Sequence, residues 1–134
     1  MEKSLTDERF LLLEDNLKKV RDEIAQTALK SGRNPDDIKL MAVTKTVCPE
    51  LINHAISCGV DLIGENKVQE VLAKKDELNL ETCKLHLIGH LQSNKVKKIV
   101  GIADMIQSVD SFEIASQISK RSEENGIVTD ILLE

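Results

Sequence analysis

Tyrosine and tryptophan are absent from this sequence, and Phe10 and Phe112 are its only aromatic residues. Nucleic-acid bases therefore find no ring to stack on. The formal charge of -5 also lacks the basic excess that a phosphate backbone attracts, so no nucleic-acid partner is expected. Cysteine is scarce: Cys48, Cys58 and Cys83 are odd in number and show no CxxC spacing, which excludes a disulfide framework or zinc ribbon in favour of reduced thiols. Long apolar runs are missing too. The segment Phe10 to Leu13, behind a charged start from Met1 to Arg9, is far too short for a signal-peptide core or a membrane span. The expectation is a cytoplasmic protein with no membrane partner. Neither GxGxxG nor GxxxxGK[ST] occurs, which removes the phosphate-turn signatures of dinucleotide and nucleoside-triphosphate sites.

The 134 residues are 41% apolar and 31% charged, an ordinary balance for one globular domain spanning 1–134. They fall short of the roughly 250 residues of a complete eight-unit β/α barrel. Phe10, Leu13, Leu17, Val20, Ile24 and Ala28 recur at spacings of three and four, which predicts a leading amphipathic helix over about 7–31. Gly32 and Asn34-Pro35 stop it. From about 38 to 134 short apolar runs alternate with helical patterns. The strands are expected at Leu40 to Val43, Asp61 to Ile63, Leu85 to Ile88, Met105 to Ile106 with Val109 just beyond, and Ile127 to Leu133. Helices are expected at Pro49 to Cys58, Lys67 to Leu78, Asn94 to Val100 and Phe112 to Glu124. Pro49 suits a first helical position, Ser93 and Asp110-Ser111 suit N-caps, and Gly59, Gly101 and Gly126 sit where helices should stop. Strand starts about twenty residues apart indicate successive βα units of a parallel sheet.

In a parallel barrel, chemistry gathers where strands end. Lys45 ends the first run, Met41-Ala42-Val43-Thr44-Lys45, and a strand-end amine near apolar neighbours can shed its proton and attack an aldehyde. The bland alternative is a solvated lysine. After the second strand, Ile63-Gly64-Glu65-Asn66 offers a close backbone approach at Gly64 and an amide at Asn66, against the simpler role of capping the next helix. In the third strand His86, Ile88 and His90 share one face by period two. That spacing is not the helical HxxxH of a zinc site, so no metal is expected. Lys95, Lys97 and Lys98 read as a solvated helix face rather than an anion site. Gln107-Ser108-Val109-Asp110-Ser111 puts small hydroxyl residues after the fourth strand.

Four segments carry a resemblance. Ala42-Val43-Thr44-Lys45-Thr46, Ile63 to Glu70, His86 to Lys95 and Gln107 to Ser111 resemble, in order and spacing, the pyridoxal phosphate homeostasis proteins. The resemblance implies the first half of a barrel of the alanine-racemase amino-terminal-domain type: a leading helix, four βα units and a fifth strand. It implies pyridoxal 5'-phosphate held by Lys45 as an aldimine, with Asn66, His86 and Ser108 as pocket neighbours and no catalytic residue. It further implies a carrier or regulator of the vitamin B6 pool, with pyridoxal-phosphate-dependent apoenzymes as recipients. In that family the chain continues past Glu134 into the loops that clasp the cofactor phosphate, so weak affinity is expected of the present chain.

The rival is a pyridoxal-phosphate enzyme such as a racemase, whose second acid/base is commonly a tyrosine, and this chain has none. A third alternative is an interaction fragment that no longer binds cofactor. A half-closed sheet also has two open edges, so a homo-oligomer is expected of this chain.

Overall fold

The structure, a computed structural model, describes residues 2–134, with side chains from Glu8 onward. Met1, the first residue of the expected domain, lies outside the described residues. Helix α1 runs Glu2–Lys30. It ends as the sequence requires: Gly32 takes φ 72 and the Arg33 N–H turns back to the Ala28 carbonyl at 2.8 Å, a left-handed stop that spares the last carbonyls. Asn34 then caps a short 3-10 turn, Pro35–Asp37, by accepting from the Asp36 N–H.

Five strands follow: β1 Ala42–Val43, β2 Leu62–Glu65, β3 Lys84–Leu87, β4 Met105–Val109 and β5 Asp130–Leu133. Between them stand α2 Pro49–Ser57, α3 Val68–Lys74, α4 Val96–Ile99 and α5 Phe112–Glu124. All four strand pairs are parallel and the sheet order is β1-β2-β3-β4-β5. Sequential order is the order of a β/α barrel, in which each crossover steps to the next strand. A doubly wound sheet instead reverses direction at a switch point.

Burial follows the two-residue period. Ile63, Leu85, Leu87 and Ile106 are at most 1% exposed and pack with Ile52, Val71, Val96, Ile99, Ile114 and Ile118 of the helices. Each such side chain contributes about 1.5–3 kcal/mol by leaving water, so this layer is the core. The other face carries Val43, Gly64, Lys84, His86 and Gln107, with Val43 half exposed. α1 packs on α2, where the Phe10 and His54 rings stack with centroids 4.3 Å apart and His54 Nε2 meets Glu14 Oε1 at 2.9 Å. Arg21 adds a bond to the Cys58 carbonyl.

Several boundaries differ from expectation for identifiable reasons. The fifth strand begins at Asp130 rather than Ile127, because the Ile127 N–H satisfies the Ser122 carbonyl at the end of α5 and Thr129 shares a hydroxyl bond with Ser122. The expected gap between Ile106 and Val109 is a bulge: Ile106 pairs with Ile131 and Val109 with Leu133, so Gln107 and Ser108 together face Leu132 alone. The helix expected at Asn94 to Val100 tightens into a 3-10 turn, Ser93–Lys95, before α4, and Ser93 makes no capping bond. Ser111 does cap α5, accepting from the Ile114 N–H at 3.1 Å. Among the described residues no helix is long and apolar enough to cross a membrane.

Candidate functional site

The chain leaves β1 through a tight turn. Lys45 stands two residues beyond Val43, exposed, and Thr46 takes φ 64. For a β-branched residue the left-handed region costs on the order of 1–2 kcal/mol, so surrounding contacts must hold it there. They do. The Val47 N–H closes the turn on the Thr44 carbonyl at 3.0 Å, and the Thr46 N–H donates to Glu70 Oε2 at 2.7 Å. Lys74 Nζ donates to the Thr44 carbonyl at 2.9 Å, to Glu65 Oε2 at 3.0 Å and to Glu70 Oε2. Thr44 Oγ1 donates to Glu65 Oε2 at 2.7 Å. The backbone on both sides of Lys45 is thus tied to β2 and α3. Among the described residues the Lys45 amine itself has no hydrogen bond or ion pair.

Glu65 is fully buried, at 0% exposure, and its Oε1 has no partner among the described residues. Burial pushes its pKa up, against the opposing bonds from Thr44 and Lys74. Glu70 moves the other way: some burial opposes its charge, but the Lys74 ammonium and the Thr46 N–H hold its carboxyl below the usual range. Lys74 loses hydration and is still raised, because bonds to Glu70 and Glu65 outweigh that loss. Lys74 thus bridges the two carboxylates, through Glu65 Oε2 and Glu70 Oε2.

Of the residues expected in a pocket, the structure brings His86 to Gln107, with His86 Nδ1 and Gln107 Nε2 2.8 Å apart. Lys45, Asn66 and Ser108 follow β1, β2 and the bulge of β4. Among the described residues no hydrogen bond joins any two of Lys45, Asn66, His86 and Ser108. Val43 pairs with Gly64 and Gly64 with His86, so His86 sits two strands across and two residues below the level of Lys45. It lines a cavity of about 620 Å³ with Lys39, Asp61, Lys84, Asp104 and Asp130, toward the amino ends of the strands. Asn66 is half-buried where the chain from β3 crosses it: a Cβ on Gly89 would fall 2.2 Å from the Asn66 carbonyl oxygen. Ser108 is 2% exposed, and its hydroxyl has no partner among the described residues. Gly64 keeps the open face low, since a Cβ there would meet Met41 Sδ at 2.5 Å.

Two other clusters are accounted for by packing. Burial, with Asp61 and Asp104 nearby, pushes the Cys83 thiol up to about 11, so it is no nucleophile at neutral pH. Glu14, His54 and Cys58 lie within 4.8 Å of one another, where the Phe10 stack and the Glu14 bond already satisfy His54.

No family model matches the chain. Individual relatives do. The pyridoxal phosphate homeostasis protein of Aquifex aeolicus is 39% identical over 120 residues, 90% of this chain and 53% of that protein. A Bifidobacterium adolescentis structure, described as an unknown protein, aligns with TM-score 0.88 at 38% identity over 94% of this chain and 55% of its own. PipY of Synechococcus elongatus PCC7942 with PLP bound aligns with TM-score 0.70 at 37% identity over 81% of this chain and 52% of its own. The chain is similar to the pyridoxal phosphate homeostasis proteins. It spans about half the length of the curated relatives it matches. An alanine racemase of Clostridium difficile, 17% identical with TM-score 0.61, shares the fold, so the five strands are part of a barrel of that type.

The sequence reading missed the Lys74 and Glu70 contacts to the Lys45 turn. The available signal was Glu70 and Lys74 at i and i+4 on α3, but that spacing reads first as a solvated pair. Two outcomes test the geometry. Gly89→Ala should destabilise the chain by about 3 kcal/mol in urea titration, because the clash is with backbone that cannot swing aside. Burial, chiefly, pushes the His86 pKa below the ordinary imidazole value near 6.5, against the pull of Asp104. Below 6.5 the unfolded chain takes up a proton that the folded chain refuses, so stability should fall as pH drops from 6.5 through the folded pKa. Urea midpoints across that window should show the fall, and His86→Gln should flatten it.

Proposed function

We propose that this chain binds pyridoxal 5'-phosphate through Lys45 and serves vitamin B6 homeostasis as a carrier rather than as an enzyme. The observation that carries the reading is the likeness to PipY with PLP bound, over 81% of this chain. The chain's own residues fit the group. Lys45 presents an exposed amine with no partner among the described residues, on backbone fixed from both sides. When bound, the cofactor supplies an aldehyde. Lys45 Nζ adds to its carbon with loss of one water, giving the aldimine link. Asn66 offers an amide just past β2, Ser108 a buried hydroxyl without a partner among the described residues in the bulge of β4, and His86 with Gln107 lines the open face. Domain 1–134 thus acts as a single partial barrel.

The carrier reading is favoured over a racemase because the usual second acid/base, a tyrosine, is missing from these residues. The chain holds no tyrosine, and the His86 imidazole is engaged by Gln107 away from Lys45. Relatives bear the name of homeostasis proteins. Pyridoxal-phosphate-dependent apoenzymes are the proposed recipients, since an exposed lysine link can be exchanged for another amine.

Borohydride reduction of the cofactor-loaded chain, followed by peptide mapping, should place the label on Lys45. A label on Lys67 or Lys95, with Lys45→Ala still binding, would sink the assignment, and turnover of added amino acids would favour the enzyme. The same chain is proposed to self-associate. Leu132 and Leu133 of β5 are 47% and 80% exposed, and an apolar hollow of about 480 Å³ opens beside β1 between α1 and α2, so both sheet edges offer surface to another copy. Light scattering over a dilution series should report a dimer or larger species at high concentration. A compact monomer throughout would remove the claim.

A further inference from the structure

We infer that Glu70, with Lys74 and Glu65 behind it, is a positioning residue that sets the Lys45 turn and thereby controls how well the amine captures an aldehyde. The inference rests on the reading that Lys45 takes the cofactor. Its basis is the placement of the bonds. Lys74 Nζ holds the carbonyl of Thr44, the residue before Lys45, and Glu70 Oε2 holds the N–H of Thr46, the residue after it. Lys45's own side chain is left out of the cluster and remains exposed. The device therefore fixes the direction of the Cα–Cβ bond without engaging the amine.

Thr46 shows why the device is needed. Its φ of 64 is a conformation that an L residue with a branched Cβ leaves unless held, and the Thr46 hydroxyl bonds only back to the Lys45 carbonyl. The Glu70 bond is the one contact from another element to the Thr46 N–H. Glu70 is in turn held by the Lys74 ammonium, whose remaining donors reach Glu65 and the Thr44 carbonyl. One buried cation thus orients the carboxylate that orients the turn. An ordered turn pre-forms the amine's position and spares the ordering cost at binding.

Glu70 is also the member that can be changed without unfolding the chain, being at the rim with a side chain 21% exposed, whereas Glu65 is sealed in. Three proteins suffice: the unchanged 134-residue chain, Glu70→Ala, and Glu70→Gln, whose amide oxygen can still accept from the Thr46 N–H. Two readouts are taken on each, with a thermal melt as control. One is hydrogen exchange at the Thr46 amide without ligand. The other is titration with pyridoxal 5'-phosphate, followed by its visible absorbance band. Glu70→Ala should exchange the Thr46 amide at least tenfold faster and weaken binding at least tenfold, with a melt close to that of the unchanged chain. Glu70→Gln should recover most of both. Faster exchange with binding unchanged within twofold would overturn the positioning role, as would weaker binding with Thr46 protection intact. If the unchanged chain gives no band, the cofactor reading is what fails, and the exchange data still report whether Glu70 holds the turn.

Discussion

A single buried ammonium, Lys74 Nζ, ties together the parts of this structure on which function depends. It is the meeting point of β1, β2 and α3, through the Thr44 carbonyl, Glu65 and Glu70. A lone charge at that depth would be costly, and a lone Glu65 equally so. Removing Lys74 leaves the sealed Glu65 without its cation, which is far worse than the modest net worth of the intact group. The cluster therefore specifies more than it stabilises: it admits only the arrangement in which the turn after β1 lies against α3. The unpartnered Glu65 Oε1 marks the incomplete satisfaction that such a site tolerates.

The rest of the sheet could not supply that specification. Its helix-facing layer is uniformly aliphatic, from Ile63 through Leu85 and Leu87 to Ile106, and aliphatic contacts fix distance without fixing the direction of a turn. Direction comes from the polar groups placed where strands end. Gly89 acts in the same sense by steric means, letting the chain beyond β3 cross the Asn66 carbonyl where any Cβ would collide.

The parts of the fold that rest on period and punctuation were legible from the residues alone. The stripe from Phe10 to Ala28, Pro49 at the start of α2, Ser111 at the cap of α5 and the glycines after the helices all lie where local rules put them. The bulge between Ile106 and Val109 was visible only as a break in apolar pattern. Its cause, two residues opposite one, is set by pairing with the partner strand. Likewise Ile127 to Thr129 looked like strand by composition and became the closing bonds of α5. Of the site, the strand-end address of Lys45 was readable. The cluster holding it was not, because Glu70 and Lys74 at helical spacing have the same local signature whether buried or solvated, and only tertiary packing decides. Thr46 gave no warning either, since its left-handed turn is imposed from α3 rather than by its own preference.

A group that carries an aldehyde must meet two demands that pull in opposite directions. It must be held still enough to capture its cargo, and it must remain open enough for another amine to take the cargo away. Enclosure answers the first demand at the expense of the second. On the proposed reading the β1 turn would reconcile them by fixing backbone instead of side chain: Thr44 and Thr46 are bound into the protein while Lys45 stays exposed. An enzyme of the same fold needs something else, a second proton-transfer group aimed at the carbon being worked on. Among the described residues His86 on the open face has its Nδ1 engaged by Gln107 of the neighbouring strand, and His90, just past β3, lies 3.5 Å from Asp110. An exposed amine on fixed backbone is what capture and release would ask for, and that is the support these residues give to the proposed carrier.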